Sequence, residues 1–176
     1  MDFLDEMNKT DKAIRGETGP MRKGGQIFDE KDPSREQSDS QKEFIASLEN
    51  KTAAENARYQ GNEYMKAKEF EEAVNAYGRS INLNPKEPAT YCNRAMAYLK
   101  LKNYARCIED ADKTLEIEPE YVKAFHRRGK AYLATKKYEL AIRDFQFILE
   151  KNPDDKDINA SLKQAREMLE GKEERL

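Results

Sequence analysis

Three cations and two amides stand out by type and by position: Arg58, Asn62, Asn93, Lys123 and Arg127. Asn93 and Arg127 lie 34 residues apart, and the others fall at related places in the same spacing. A fixed carboxylate is held by such a set. The cations supply charge, and the amides donate hydrogen bonds in a defined direction. Each charge-assisted hydrogen bond to an anion is worth about 1.5–3 kcal/mol before ordering costs are subtracted. Singly, each of these residues is an ordinary solvated helix residue. Asn93 is mildly unfavourable inside a helix, so a role beyond helix formation is expected for it.

The elements that position these residues follow from the same period. Gly61, Ala95 and Gly129 are in register. So are Tyr64, Tyr98 and Tyr132, then Phe70, Tyr104 and Tyr138, then Pro85, Pro119 and Pro153. Small, aromatic and proline positions repeating every 34 residues are the signature of the tetratricopeptide repeat, a helix–turn–helix unit. One unit cannot bury its apolar face alone, whereas three stacked units share a core and leave a concave groove. The expected fold is all-α: a right-handed superhelical array of repeats over about 54–87, 88–121 and 122–155. A capping helix over about 156–172 closes it, with Ile158, Leu162, Ala165, Met168 and Leu169 at helical spacing.

Within each repeat the first helix carries the groove residues and the second backs it. The short turns are Lys68-Glu69, Lys102-Asn103 and Lys136-Lys137. Ala73, Cys107 and Ala141 share the position where the two helices approach most closely, so Cys107 reads as a small buried hydrophobe. Proline lacks the N–H that a helix interior needs, so Pro85, Pro119 and Pro153 end the second helices. Groove-side positions also hold Lys66, Met96, Lys100, His126 and Lys130, with Cys92 nearby.

Upstream the signals are weaker. Phe3, Leu4 and Met7 suggest a short helix within 1–14. Gly and Pro density makes about 15–39 a flexible linker. Ser40 with Glu43 and Thr52 with Glu55 each fit a capping box. A capping segment over about 40–53 is therefore expected, either as its own helix or continuous with the first repeat. Phe44, Ile45 and Leu48 are expected to pack on that repeat. A further protein partner through residues 1–50 is the remaining use for this region.

Composition narrows the function. Charged and apolar residues each make up 38% of the chain and the net charge is −2, which suits a thin helical array and disfavours a general nucleic-acid binder. No apolar run is long enough to span a membrane. The two cysteines do not form a disulfide framework, so a reduced, cytoplasmic setting is the default. His126 is the one histidine, and no nucleophile–base pair, metal-spaced cluster or phosphate-cradling glycine loop occurs. A non-catalytic protein without cofactor or metal is expected. The basic run His126-Arg127-Arg128-Gly129-Lys130 spreads around a helix and does not form one patch.

Arg58-x-x-Gly61-Asn62, Asn93-Arg94-Ala95 and Lys123-Ala124-Phe125-His126-Arg127 resemble the dicarboxylate-clamp tetratricopeptide co-chaperones. That family includes the heat-shock-organising protein, small glutamine-rich tetratricopeptide proteins and several axonemal dynein assembly factors. Its members bind the extreme C-terminal Glu-Glu-Val-Asp of heat shock proteins 70 and 90. The resemblance covers about residues 54–170. Asn62, Asn93, Lys123 and Arg127 match the family's clamp by identity, and Arg58 stands where Lys is usual. It implies that Asn62, Asn93 and Lys123 grip the terminal carboxylate and last aspartate with Arg58 assisting, while Arg127 reaches the peptide further in. Phe44 to Glu49 also resembles a segment that precedes the repeats in a dynein-arm assembly factor. The alternative it leaves is a scaffold for complex assembly that binds a non-chaperone segment.

Overall fold

The computed structural model describes residues 33–173, with side-chain surroundings for 39–171. The expected helix at 1–14 and the linker as far as residue 32 lie outside the described residues. Seven helices are described: α1 (Pro33–Ala67), α2 (Phe70–Leu83), α3 (Pro88–Lys100), α4 (Tyr104–Ile117), α5 (Val122–Ala134), α6 (Tyr138–Lys151) and α7 (Lys156–Glu173). The compact unit begins at Asp39. The described residues form an all-α array, as the 34-residue period predicts. Its hairpins are the C-terminal half of α1 with α2, α3 with α4, and α5 with α6.

Each hairpin turns in the same way. Lys68, Lys102 and Lys136 adopt positive φ of 63°, 58° and 61°. The residue after each lysine donates its N–H back to a carbonyl five positions earlier: Glu69 to Tyr64, Asn103 to Tyr98 and Lys137 to Tyr132, all at 2.9 Å. This is the Schellman ending, usually made with glycine because a left-handed backbone crowds a Cβ. The aromatics Phe70, Tyr104 and Tyr138 then start the second helices. These end at Leu83, Ile117 and Lys151, two residues before each proline.

Close approach within hairpins depends on matched sizes. Ala73, Cys107 and Ala141 are fully buried. A Cβ on Gly61 would lie 2.5 Å from the Tyr77 ring, and one on Gly129 2.7 Å from the Phe145 ring. Where the first and third hairpins pair glycine with an aromatic, the second has Ala95 and Ala111 at the same register. α7 closes the far end. Its Ile158, Leu162 and Ala165 join Ala141, Phe145 and Ile148 in one buried cluster. Burying an Ile or Leu side chain contributes roughly 1.5–3 kcal/mol, so α7 is part of the core.

The N-terminal end departs from expectation in three ways. The helix begins at Pro33, so residues 33–39, expected as linker, are helical and continuous with the first repeat. Thr52 does not cap a second helix, because its hydroxyl donates to the Leu48 carbonyl within the same helix at 3.0 Å. Phe44, Ile45 and Leu48 do not pack on the repeat and are 65%, 54% and 48% exposed. The reason is length. At 1.5 Å per residue the 35 residues of α1 run to roughly 52 Å, against roughly 21 Å for the 14 of α2. α2 meets α1 between Asn62 and Ala54, where Ser80 Oγ donates to the Ala54 carbonyl. Residues 44–48 lie beyond that partner.

Candidate binding site

The first helices of the hairpins stand side by side. α3 packs against α5, and Asn93 Nδ2 on α3 donates to Asn62 Oδ1 on α1 at 3.2 Å. The same oxygen accepts a 2.8 Å bond from the Tyr77 hydroxyl of α2. Tyr77 lies where the first hairpin meets the second, clustered with Ala73 on α2 and Ala97 on α3. Burial pushes its hydroxyl up to about 12, against the opposing pull of Arg127 and Arg58. Arg127 and Lys123 both act on the buried thiol of Cys92. Asn62 is thus bonded to Tyr77 and Asn93, Arg58 and Arg127 lie within electrostatic reach of Tyr77, and Arg127 and Lys123 within reach of Cys92. Arg58, Asn62, Asn93 and Arg127 are half-buried, and Lys123 is exposed at the start of α5.

The charges of this group have no carboxylate partner among the described residues. Arg127 Nη1 donates to the Lys123 carbonyl at 2.9 Å, and its Nε is buried without a partner. Neither Arg58, Lys123 nor Arg127 takes part in an ion pair among the described residues. Buried donors left without acceptors cost free energy, and an anion relieves that cost.

The residues selected as secondary contacts divide. Met96, Lys100, His126, Arg127 and Lys130 line a pocket of about 460 Å³ between α3 and α5, with Leu99 and Tyr104 adding apolar wall. Lys130 is also tied to the closing helix, its Nζ donating to Ser161 Oγ at 2.7 Å. Burial, then Lys130 and Arg127, hold the His126 imidazole below its ordinary value, and its Nε2 is buried without a partner. Lys66 is separate: it is exposed and pairs with Glu63 on its own helix at 2.7 Å. Cys92 and Cys107 are buried, and burial raises both thiols, Cys107 to about 12.

Two features were missed in the sequence. One is Tyr77, whose register counterparts are Ala111 and Phe145, so the hydroxyl breaks the repeat. The other is a repeated ion pair on the sides of α3 and α5 that face the second helices of the hairpins. Arg94 makes two bonds to Asp110, both 2.8 Å. Arg128 makes two to Asp144, at 2.9 and 2.7 Å, and a third to Asp112 at 2.6 Å. The 34-residue spacing of both partners was the available signal. The run from His126 to Lys130 is accordingly split between the pocket and this pair.

Tandem helical hairpins at a 34-residue period, with a closing helix and a groove lined by their first helices, define a class of all-α repeat protein. The chain belongs to the tetratricopeptide repeat family: family models described as TPR repeat match residues 61–102, and as tetratricopeptide repeat 88–121 and 122–155. Among curated proteins it is similar to the small glutamine-rich tetratricopeptide repeat-containing protein alpha of Bos taurus. The two are 45% identical over 58 residues, 33% of this chain and 18% of that protein. The chain thus spans less than a fifth of that relative. Among solved structures it is similar to the first TPR of Spaghetti (RPAP3) bound to the HSP90 peptide SRMEEVD. There the TM-score is 0.66 and the identity 30%, over 68% of this chain and 94% of that one. It is also similar to the TPR2B domain of yeast Sti1 in complex with an Hsp70 peptide, with TM-score 0.62 and 30% identity, over 66% and 98% of the two chains.

Proposed function

We propose that the groove holds the acidic C-terminal tail of a heat shock protein 70 or 90, making this protein a cytoplasmic, non-catalytic co-chaperone adaptor. The observation that carries this reading is the set of donors around Asn62. Asn93 is bonded to Asn62, Arg58 and Arg127 act on the Tyr77 hydroxyl bonded to it, Lys123 and Arg127 act on Cys92, and none of these cations has a carboxylate of its own among the described residues. The structural neighbours captured with chaperone tail peptides support the same ligand class. In this reading the Asn62 and Asn93 amides and Lys123 take the terminal carboxylate and the last aspartate. Arg58 adds charge from the first helix. Arg127 meets the next peptide groups, and the pocket at Met96, Lys100, His126 and Lys130 receives residues upstream. Mechanism is capture alone. An acidic tail is steered to a locally positive trough on a protein of net charge −2, so association weakens with salt. A flexible tail binding in the micromolar range corresponds to about −8 kcal/mol.

The test is calorimetric titration with a Met-Glu-Glu-Val-Asp peptide, free and C-terminally amidated. The free acid is expected to bind, and amidation or Lys123→Ala to weaken binding at least about tenfold, or about 1.4 kcal/mol. Equal affinity for the two peptides ends the proposal.

A further inference from the structure

Tyr77 is 1% exposed, so it cannot be a principal ligand contact. Its ring lies against Gly61 so closely that no side chain fits between. That fixes the ring, and the ring fixes the hydroxyl. The hydroxyl donates to Asn62 Oδ1, and Asn93 Nδ2 donates to the same atom. An asparagine amide has one oxygen and one NH₂ group. With its oxygen held by two donors, the amide can rotate only by placing its NH₂ against the Asn93 NH₂, donor against donor. The Asn62 NH₂ is therefore kept on the side away from Tyr77. We infer that Tyr77 is a positioning residue: Asn93, whose NH₂ cannot accept, sets which way the Asn62 amide faces, and the Tyr77 hydroxyl holds the Asn62 oxygen in that place, so that the amide presents a hydrogen-bond donor to the groove. The ligand class this selects is an anionic carboxylate, and the inference rests on the tail-binding reading for its role.

Three observations support the lock. The hydroxyl stays protonated, and so remains a donor, throughout the neutral range, because burial raises it to about 12. The register counterparts Ala111 and Phe145 carry no hydroxyl, so packing does not call for one. Phe145 also shows that this scaffold accepts a phenylalanine opposite glycine, so Tyr77→Phe removes one oxygen and keeps the ring. Preorganised donors bind more tightly because their ordering cost has been met before the ligand arrives.

The experiment compares wild type, Tyr77→Phe, Asn62→Ala and the double variant, with thermal denaturation to show that each is folded. Free and amidated Met-Glu-Glu-Val-Asp are titrated into each. The side-chain NH₂ signals of Asn62 are followed by NMR in the unliganded protein. Tyr77→Phe is expected to weaken the free-acid peptide about three- to tenfold, to add nothing in the Asn62→Ala background, and to shift or broaden the Asn62 NH₂ signals. A variant that binds as wild type, an undiminished loss in the Asn62→Ala background, or unmoved Asn62 signals would each overturn the inference. Failure of the tail-binding reading has a different signature: wild type fails to distinguish the free from the amidated peptide, while the NMR arm still reads the lock.

Discussion

Arg127 and Arg128 are neighbours on α5 and point to opposite fates. Arg128 is held by Asp144 and Asp112 through three bonds of 2.6–2.9 Å. Arg127 has one bond to a carbonyl on its own helix and a buried Nε without a partner. One repeat earlier, α3 shows the same contrast, with Arg94 paired to Asp110 and Asn93 facing Asn62. The scaffold side of these helices contains its own counter-charges. The groove side omits them. A charge that the fold neutralises internally belongs to the fold, and a charge it leaves half-buried without a counter-ion is available to a ligand.

Replacing each arginine in turn separates the two roles. Arg128→Ala leaves Asp144, which is 4% exposed, without its partner. Burial already pushes that carboxyl above its ordinary value even with Arg128 beside it. Removing one member of such a pair costs about 3–5 kcal/mol, even where the intact pair is worth little over an apolar replacement. Urea denaturation should show that loss. Arg127→Ala should leave the denaturation midpoint nearly in place and weaken the tail peptide about tenfold. If Arg127→Ala proves the more destabilising of the two, the division of labour between the faces is wrong.

A smaller effect sharpens the same contrast on the packing side. Gly129→Ala places a methyl 2.7 Å from a ring carbon of fully buried Phe145. Overpacking of this kind costs about 1–3 kcal/mol. Because Phe145 has no hydroxyl and touches no groove donor, tail affinity per folded molecule should stay at the wild-type value. A midpoint equal to wild type would show that the third hairpin relaxes to admit the methyl.

How far the sequence carried these distinctions depended on whether a signal repeats. Hairpins, small contact positions and the left-handed lysine turns recur every 34 residues, so one unit explains the others. Arg58, Asn62, Asn93, Lys123 and Arg127 could be singled out as candidates because the same alignment orders them by helix face. Tyr77 was not, because its importance lies in differing from Ala111 and Phe145 at one register. The Arg94–Asp110 and Arg128–Asp144 pairs were repeated and still missed, since charged residues on short helices read by default as solvated. The segment 40–53 failed for another reason. Its apolar residues have helical spacing, but spacing does not say whether a partner is long enough to meet them. α2 is too short, and Phe44, Ile45 and Leu48 stay exposed.

The smallest expected effect concerns His126, the one histidine of the chain, which lies in the pocket with Arg127. Burial lowers its proton affinity, and so do Lys130 and Arg127 on its own helix. Asp155 and Asp157, before and at the start of α7, oppose them without reversing the sign. The folded protein therefore takes up this proton at lower pH than the unfolded chain, whose imidazole titrates near the ordinary 6.5. Above that value neither state is protonated and the contribution to stability is complete. As pH falls below it, the unfolded chain gains a proton first and stability declines, until pH passes the folded value. A single proton limits the slope to about 1.4 kcal/mol per pH unit. His126→Gln removes this contribution and leaves every carboxylate in place. Denaturation at pH 7 and pH 5 should show wild type losing more stability over that interval than the variant. Equal losses would mean that the imidazole titrates alike in both states, and that the groove side of α5 is open to water and not a half-buried, cation-rich wall.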